Sequence, residues 1–493
     1  MPILDDLFGH ARRTTALEQA AGILGWDRET MMPPDGAGQR AEQSAAMSAA
    51  IHARHSDPKV GEWLGELDAS TLAPTEARSV ELIARKYQRA TRVSEDLASH
   101  LARTTSRAQG IWVEARRADQ FAEFKPMLAE IVALKREEAA CLVRDGGTLY
   151  DALLWDFEPG FTSANLDPIF AKLRASLSDL RGRIAGSGRD VPVLDGHFPH
   201  SAQMALARKI APVLGYDLKG GRIDLAVHPF CAGSGGDVRI TTRVDERDPL
   251  NCLYSSMHEM GHAIYKQNIP RDLALDPLGG DDAMGPHESQ SRLIENQIGR
   301  SRSFATYLWP MLTETFGDFG LGGPDAWYRA VNRVETGYIR TEADEVHYNL
   351  HIILRYGLER DLIEGRLEVD DLEEAWNSQF LADFGLAVDR PSNGVLQDVH
   401  WSAGLFGYFP TYTLGNIYAG ELFAGLGRDM PDLPSRIAAG DLGDVLAWLT
   451  DRIHRHGARY DPLDLIEAAV GHAPTPEPLI TYLEAKFSDL YDL

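Results

Sequence analysis

Apolar residues recur every three or four positions along most of the 493-residue chain. That is the spacing of one face of an α-helix. The clearest run covers residues 4–24, and a second run, residues 126–143, opens on a proline, which favours the first helical turn. The same spacing predicts further helices over residues 168–185, 201–214, 287–309, 325–364 and 370–384. The pattern therefore predicts a mainly α protein with charged residues on the solvated helix faces.

Two short segments break the helical pattern. Residues 222–228 and 237–244 alternate apolar with polar or β-branched positions, which predicts strands, and the intervening PFCAGSGG is expected to be a loop. No linker long enough to separate independent domains is visible. We therefore expect a single domain over residues 1–493, an arrangement that also accommodates two lobes around a groove.

Composition and charge narrow the functional classes. The chain has 49 Lys and Arg residues against 73 Asp and Glu residues, a net charge of -24, which disfavours binding to nucleic-acid phosphates. No run of 18 or more apolar residues indicates a membrane span, and the N-terminus lacks the pattern of a signal peptide. Three cysteines are too few for a disulfide framework, so a reducing, cytoplasmic location is expected.

The motif with the clearest chemistry is HEMGH, residues 258–262. Histidines four residues apart on a helix project from one face about 6 Å apart along the axis, close enough to share one metal ion. His258 and His262 are therefore candidate ligands, and Glu259 is the candidate general base. The alternative is a histidine pair with a structural role on the surface or in the core.

A catalytic zinc site requires a third protein ligand. The metzincin pattern is excluded because Tyr265 and Asn268 occupy the positions where it requires glycine and histidine. Glu288 and Glu295, on the predicted helix downstream, are both candidates, and each could instead be a salt-bridged helix carboxylate. Spacing alone does not choose between them.

The chain resembles the carboxypeptidase Taq family of thermostable metallocarboxypeptidases along nearly its whole length. Beyond HEMGH, the resemblance lies in LGWDRETMMPPDGAGQRAEQ (24–43), YDALLWDFEPG (150–160), DVRITTR (237–243), HESQS (287–291), IRTEAD (339–344) and GVLQDVHW (394–401). Trp155 departs from the family, in which an acidic residue is more usual. Carried over motif by motif, the resemblance implies that Glu288, and not Glu295, is the third ligand.

The resemblance also implies fold and function. It implies a large helical peptidase fold of the gluzincin type, with a deep groove and a small sheet near the metal, similar to neurolysin and angiotensin-converting enzyme. It further implies a homodimer that releases single amino acids from peptides with a free C-terminus, with broad side-chain tolerance and reluctance at proline. His/His/Glu ligation suits Zn²⁺, and Co²⁺ would fit the same site.

Recognition of a free α-carboxylate requires a cation near the metal, and arginine pairs with a carboxylate through two parallel hydrogen bonds. Arg340, in IRTEAD, is our candidate, and Arg355 is a second choice. The alternative for Arg340 is a structural salt bridge with Glu342 or Asp344.

The remaining candidates lie in two other segments. His400 and Tyr412 are candidate donors to the oxyanion of the tetrahedral intermediate, and Tyr408 competes with Tyr412; the alternative is aromatic core packing. Asp237 and Arg239 are candidates for an edge strand that binds an extended peptide, although a structural pair is favoured.

Three hypotheses follow. The favoured one is a metal-dependent carboxypeptidase, and the second is an oligopeptidase that cuts internally with the same chemistry. The third is a metal- or peptide-binding protein without catalysis, which the presence of Glu259 disfavours.

Overall fold

The computed structural model describes residues 2–144, 146–280 and 283–493. Helices dominate the fold, as the apolar spacing predicts. In chain order they are α1 Pro2–Thr30, α2 Ala37–His55, α3 Pro58–Glu66, α4 Pro74–Arg92, α5 Glu95–Ala118, α6 Phe121–Leu142, α7 Leu149–Leu154, α8 Ser163–Ser187, α9 His200–Leu214, α10 Pro249–Asn268, α11 Met284–Arg292, α12 Arg302–Phe316, α13 Pro324–Val331, α14 Glu345–Ile363, α15 Leu372–Phe384, α16 Phe409–Asp429, α17 Leu433–Ala439, α18 Gly443–Arg452, α19 Pro462–Val470 and α20 Glu477–Tyr491.

Several predicted helices are confirmed, but two long ones are wrong as single elements. The segment 325–364 is interrupted between α13 and α14 by backbone that is not α-helical and contains only a 3-10 turn, Arg340–Glu342. Asp344 caps the second helix by accepting from Val346 N and His347 N. The segment 287–309 changes from α11 to a π-helical turn, Leu293–Gly299, before α12 begins. Single-turn π segments are frequent at functional sites, and this one carries Glu295.

The small sheet has the strands β1 Gly221–Leu225, β2 Cys231–Ser234 and β3 Asp237–Thr242 in the order β1-β3-β2. β1 is parallel to β3, whereas β2 is antiparallel to it. The prediction that PFCAGSGG is only a loop is wrong, because β2 lies inside it. β3 is consequently the central strand rather than an edge strand.

The hydrophobic core has two parts. A main core extends from Val93 to Tyr491, and a small separate cluster of Leu4, Leu7, Val60 and Val80 packs the N-terminal helices against one another. Between the N-terminal helices and the main body lies a groove of about 1150 Å³. The single-domain assignment, with or without two lobes, stays a prediction. No helix within the described ranges is long and apolar enough to cross a membrane.

Candidate active site

The HEMGH motif lies on α10, a helix whose start is specified locally. The Asp248 carboxylate accepts a hydrogen bond from Leu250 N, and Pro249 occupies the first turn, where its missing N–H costs nothing. The helix packs against the sheet, with the Thr242 and Ser255 hydroxyls 3.0 Å apart. His258 and His262, one and two turns farther along α10, lie next to Glu288 of α11.

Two glycines let α11 lie very close to its neighbours. A Cβ on Gly261 of α10 would come within 2.5 Å of Gln290 O and Ser291 Cα, and one on Gly415 of α16 would come within 2.5 Å of Glu288 Cβ and Cγ. Real side chains do not tolerate such contacts. Both glycines therefore permit the approach that brings the Glu288 carboxylate to the histidines.

The first turn of α11 is anchored by the segment after α7. Met284 N donates to Phe157 O at 3.0 Å, and Gly285 N donates to the Glu158 carboxylate at 2.8 Å. Tyr418 OH also donates to Glu158, which is fully buried. Burial raises the Glu158 pKa to about 8. The YDALLWDFEPG stretch thus positions the helix that carries Glu288.

His258, His262 and Glu288 form a donor set that fits a metal ion. One donor atom from each lies within 4.8 Å of those of the other two. Glu288 Oε2 is 3.5 Å from His258 Nε2 and 3.3 Å from His262 Nε2. Two ligands each about 2.1 Å from one tetrahedral ion are separated by about 3.4 Å. Both separations from Glu288 are therefore those expected for ligands of one small divalent cation.

Neighbouring groups orient both imidazoles. His258 Nδ1 donates to Glu295 Oε2 at 2.9 Å, and His262 Nδ1 donates to the backbone oxygen of His287 at 3.1 Å. With Nδ1 used in this way, each Nε2 is left as the coordinating atom. Glu295 thus lies at Nδ1 of His258, whereas Glu288 lies at the Nε2 atoms, an arrangement that favours Glu288 as the third ligand.

The carboxylates of the site have different environments. Burial alone would raise the pKa of Glu288, but the Arg292 guanidinium, 2.7 Å from Glu288 Oε1, and His258 hold that pKa well below its ordinary value. Burial raises the pKa of Glu259 to about 7, against the lowering effect of His258. Glu288 therefore stays ionised, as a metal ligand must, whereas Glu259 can exchange a proton near neutral pH. Base-assisted hydrolysis uses such a pair of carboxyl groups.

Two sequence motifs 58 residues apart meet around Arg340. Its Nε donates to Asp398 Oδ1 at 2.9 Å, its backbone N donates to the Gln397 side chain, and its Nη1 lies 3.3 Å from Tyr348 OH. The ion-pair partner is thus Asp398, and not Glu342 or Asp344. Tyrosine rings surround the guanidinium, which lies 5.1 Å above the Tyr412 ring.

The environment of Arg355 disfavours this second choice for a carboxylate-binding residue. It is completely buried, its Nε donates to Asp398 Oδ2 at 2.6 Å, and its Nη1 donates to His351 O at 2.7 Å. Asp398 therefore neutralises two buried cations, one through each oxygen. Only Arg340, which is 6% exposed, retains access to solvent.

The aromatic candidates form one cluster beside Arg340. Tyr412 OH is 3.2 Å from His400 Nε2, and the ring of Tyr408 packs edge-on against that of Tyr412. Burial, followed by the charge of Glu288, raises the pKa of Tyr408 to about 12, and burial raises that of Tyr412 well above its ordinary value. Both phenols are therefore protonated donors at neutral pH, and the structure brings His400, Tyr408 and Tyr412 together.

Asp237 and Arg239 do not form the expected edge strand. They lie on the central strand β3 and pair with each other through two contacts of 2.7 Å. Arg239 also lies 4.5 Å above the Trp26 ring of α1. These contacts favour the structural interpretation, in which the pair ties the sheet to the N-terminal helix.

Sequence reasoning missed the residues that support the site. Asp398 lies in GVLQDVHW, but no pattern in the sequence indicates that it pairs with Arg340. Arg292 follows Glu288 by one helical turn, a spacing that does indicate a surface pair but not a buried one. Gly261 and Gly415 carry no local signal for helix contact.

Comparison with known proteins identifies similar proteins along the whole chain. The family model Carboxypeptidase Taq (M32) metallopeptidase matches residues 6–487. Thermostable carboxypeptidase 1 of Thermus thermophilus is 41% identical over 502 residues, covering 99% of this chain and 98% of that protein. The crystal structure of an M32 carboxypeptidase from Deinococcus radiodurans R1 superimposes with a TM-score of 0.95 at 35% identity, covering 100% of both chains. Metallocarboxypeptidase 1 of Trypanosoma cruzi superimposes with a TM-score of 0.96 at 34% identity, covering 99% of both.

These similarities extend over the whole chain, and the HEMGH helix and the downstream glutamate form a site suited to a metal ion. The chain therefore belongs to the carboxypeptidase Taq (M32) metallopeptidase family and is a metallocarboxypeptidase.

Proposed function

We propose that this metallocarboxypeptidase uses Zn²⁺ held by His258, His262 and Glu288 and accepts a broad range of C-terminal residues. The observation that carries the metal assignment is the separation of Glu288 Oε2 from the two Nε2 atoms, 3.5 and 3.3 Å. Two imidazoles and one carboxylate suit zinc, and cobalt accepts similar ligands. Such an ion would polarise the scissile carbonyl and make a water nucleophilic near neutral pH.

Glu259 is proposed as the general base. Its carboxylate takes a proton from the attacking water and passes it to the nitrogen of the leaving amine. The raised pKa of Glu259, about 7, supports both proton uptake and proton release, because the carboxyl group can be in either protonation state at neutral pH. Burial to 6% exposure limits competition from bulk water.

Arg340 is proposed to bind the free α-carboxylate of the peptide. A guanidinium has five N–H groups, and here Nε–H and one N–H of Nη2 are directed to Asp398, while one N–H of Nη1 is directed to Tyr348. The remaining N–H groups are available to a second carboxylate. Asp398 holds the guanidinium at a fixed position, which supports selection of a C-terminal residue at a fixed distance from the scissile bond.

His400 and Tyr412 are proposed to donate hydrogen bonds to the oxyanion as the carbonyl becomes tetrahedral. The 3.2 Å contact between them supports a shared role, in which one group orients the other. Tyr408 lies against both rings and is proposed to contact the substrate. Asp237 and Arg239 are proposed to act only indirectly, by fixing the strand behind α10.

The resemblance further supports a homodimer, a cytoplasmic location and an architecture like that of neurolysin and angiotensin-converting enzyme. Sedimentation at several protein concentrations tests the first of these. A single species at the monomer mass at every concentration contradicts the dimer.

Paired peptides with a free and an amidated C-terminus test the proposed function. Each is incubated with the metal-stripped enzyme, with the Zn²⁺- or Co²⁺-restored enzyme, and with the restored Glu259→Gln variant. We expect single-residue release from the free peptide only, restoration by metal, and loss of turnover in Glu259→Gln with metal still bound. Equal cleavage of the amidated peptide would mean that Arg340 does not select a carboxylate, and internal cleavage would indicate an oligopeptidase.

A further inference from the structure

One side of the groove carries a cluster of cations around a single indole. Trp155, directly after α7, is half-buried, and the Arg144 guanidinium lies over its ring at 3.5 Å. Arg85 of α4 approaches the same ring at 5.7 Å. These three residues and Arg92, the last residue of α4, all line the groove. We call Arg85, Arg92, Arg144 and Trp155 the indole cluster.

The cations of the indole cluster are unequally neutralised. Arg85 forms two hydrogen bonds to the Asp461 carboxylate, at 2.7 and 2.8 Å. Arg92 and Arg144 are exposed, and neither makes an ion pair with any residue that the structure describes. Partial burial, followed by the charges of Arg85 and Arg92, lowers the pKa of Arg144, although two nearby aspartates act in the opposite direction. Guanidinium groups held close together repel one another, and an incoming carboxylate would reduce this repulsion.

The guanidinium of Arg144 is suited to bind such a group. Stacking on an indole occupies the face of the guanidinium and leaves its edge, with the N–H donors, free for a carboxylate. The stacking also restricts the side chain, which reduces the entropy lost on binding. An aspartate or glutamate side chain supplies the matching acceptor pair.

The indole cluster is connected to the active site through a short piece of backbone. Two residues after Trp155, the Phe157 ring packs edge-on against Tyr408 at 5.1 Å, and Phe157 O accepts from the first residue of α11. Trp155, Phe157 and Tyr408 line the same groove. Because Tyr408 lines this groove and also packs against Tyr412 in the active site, a peptide whose C-terminal residue occupies the active site could extend past Tyr408 toward the indole cluster.

We infer that the indole cluster is a subsite for an acidic side chain of the peptide substrate, upstream of the scissile bond, with Arg144 and Arg92 as its specificity-determining residues. The inference rests on the proposed function, because it needs a peptide bound along the groove. A partly solvated carboxylate–guanidinium contact predicts a preference for Glu over Gln of about fivefold in kcat/KM. The preference should decrease as salt screens the contact.

The experiment uses the Zn²⁺-restored enzyme and peptides with a free C-terminus, in which a single Glu or Gln is moved through successive upstream positions. We expect the preference for Glu at one position and its loss in Arg144→Gln, with a smaller loss in Arg92→Gln. Arg107→Gln is the matched control, since Arg107 is exposed on α5 and does not line the groove. The Gln peptides should be cleaved equally by all four enzymes.

Equal kcat/KM for Glu and Gln at every position in the wild-type enzyme would overturn the inference. A preference that survives in both Arg144→Gln and Arg92→Gln would overturn it too, because the selectivity would then arise elsewhere in the groove. Failure of the proposed function has a different result, namely no release from the Gln peptides by the wild-type enzyme.

Discussion

The contact between Gly415 and Glu288 predicts that one added methyl group will weaken metal binding. In Gly415→Ala the new Cβ would lie 2.5 Å from Glu288 Cβ and Cγ. Carbon atoms in favourable contact are separated by about 3.5–4.0 Å, so the overlap is about 1 Å. Because Gly261 holds the other side of α11 equally closely, we expect the overlap to be relieved by displacement of the Glu288 side chain.

The expected size of the effect follows from this displacement. A misplacement of about 1 Å in a catalytic group lowers the rate about 100-fold, and we expect Zn²⁺ affinity to fall by about 10- to 100-fold. Overpacking should also lower the free energy of unfolding of the metal-free protein by about 1–3 kcal/mol. The two consequences are separable because the metal-free protein reports only the second.

Two glycines of the same helix provide controls. A Cβ on Gly420 would also overlap, at 2.8 Å from Leu479 N, but none of the atoms that it would meet belongs to a metal ligand. A Cβ on Gly427 would meet nothing within 4 Å. We expect Gly420→Ala to lose stability without losing metal affinity. Gly427→Ala should gain up to about 1 kcal/mol, because alanine favours the helix.

The assay is competition for Zn²⁺ between each metal-free variant and a chromogenic chelator, with kcat/KM and thermal unfolding measured in parallel. The reasoning is refuted if Gly415→Ala binds Zn²⁺ as tightly as the wild-type protein. It is also refuted if Gly420→Ala weakens Zn²⁺ binding as much as Gly415→Ala does, since general destabilisation would then explain both results.

Three further predictions concern buried carboxylates. Glu295→Gln should weaken Zn²⁺ binding about 10- to 100-fold by removing the charged acceptor of an imidazole Nδ1–H, and chelator competition showing unchanged affinity would contradict this. Asp398→Asn should lower the free energy of unfolding by about 3–5 kcal/mol, because it leaves Arg340 and Arg355 buried without their anion. A loss below about 1 kcal/mol in a denaturant titration, the size expected for a surface ion pair, would argue against this. Glu158 keeps its proton in the folded state up to about pH 8 but loses it near pH 4.5 when unfolded, so stability should fall by up to about 1.4 kcal/mol per pH unit across that window. In Glu158→Gln this contribution should disappear, and an unchanged slope of unfolding free energy against pH would contradict the assignment.

Much of the chemistry could be predicted from local sequence because it depends on short spacings. The four-residue interval between His258 and His262 defines one helix face, and the intervening Glu259 follows from the same geometry. The helical class also follows from local periodicity, because each amphipathic helix must bury its own apolar stripe. The interruption between α13 and α14 could not be predicted in this way, because helical apolar spacing is present on both sides of it.

Only the tertiary structure decided which distant groups meet. Glu288 and Glu295 are equivalent as isolated helix carboxylates. The packing of α11 and the π turn against α10 places Glu288 at the Nε2 atoms of both histidines and Glu295 at the Nδ1 atom of His258. The partner of Arg340 was likewise undetermined, because a charge pair 58 residues apart leaves no periodic trace in the sequence. Local patterns are set by bond geometry within a few residues, whereas long-range pairs depend on how closely helices pack, and here that depends on glycines such as Gly415.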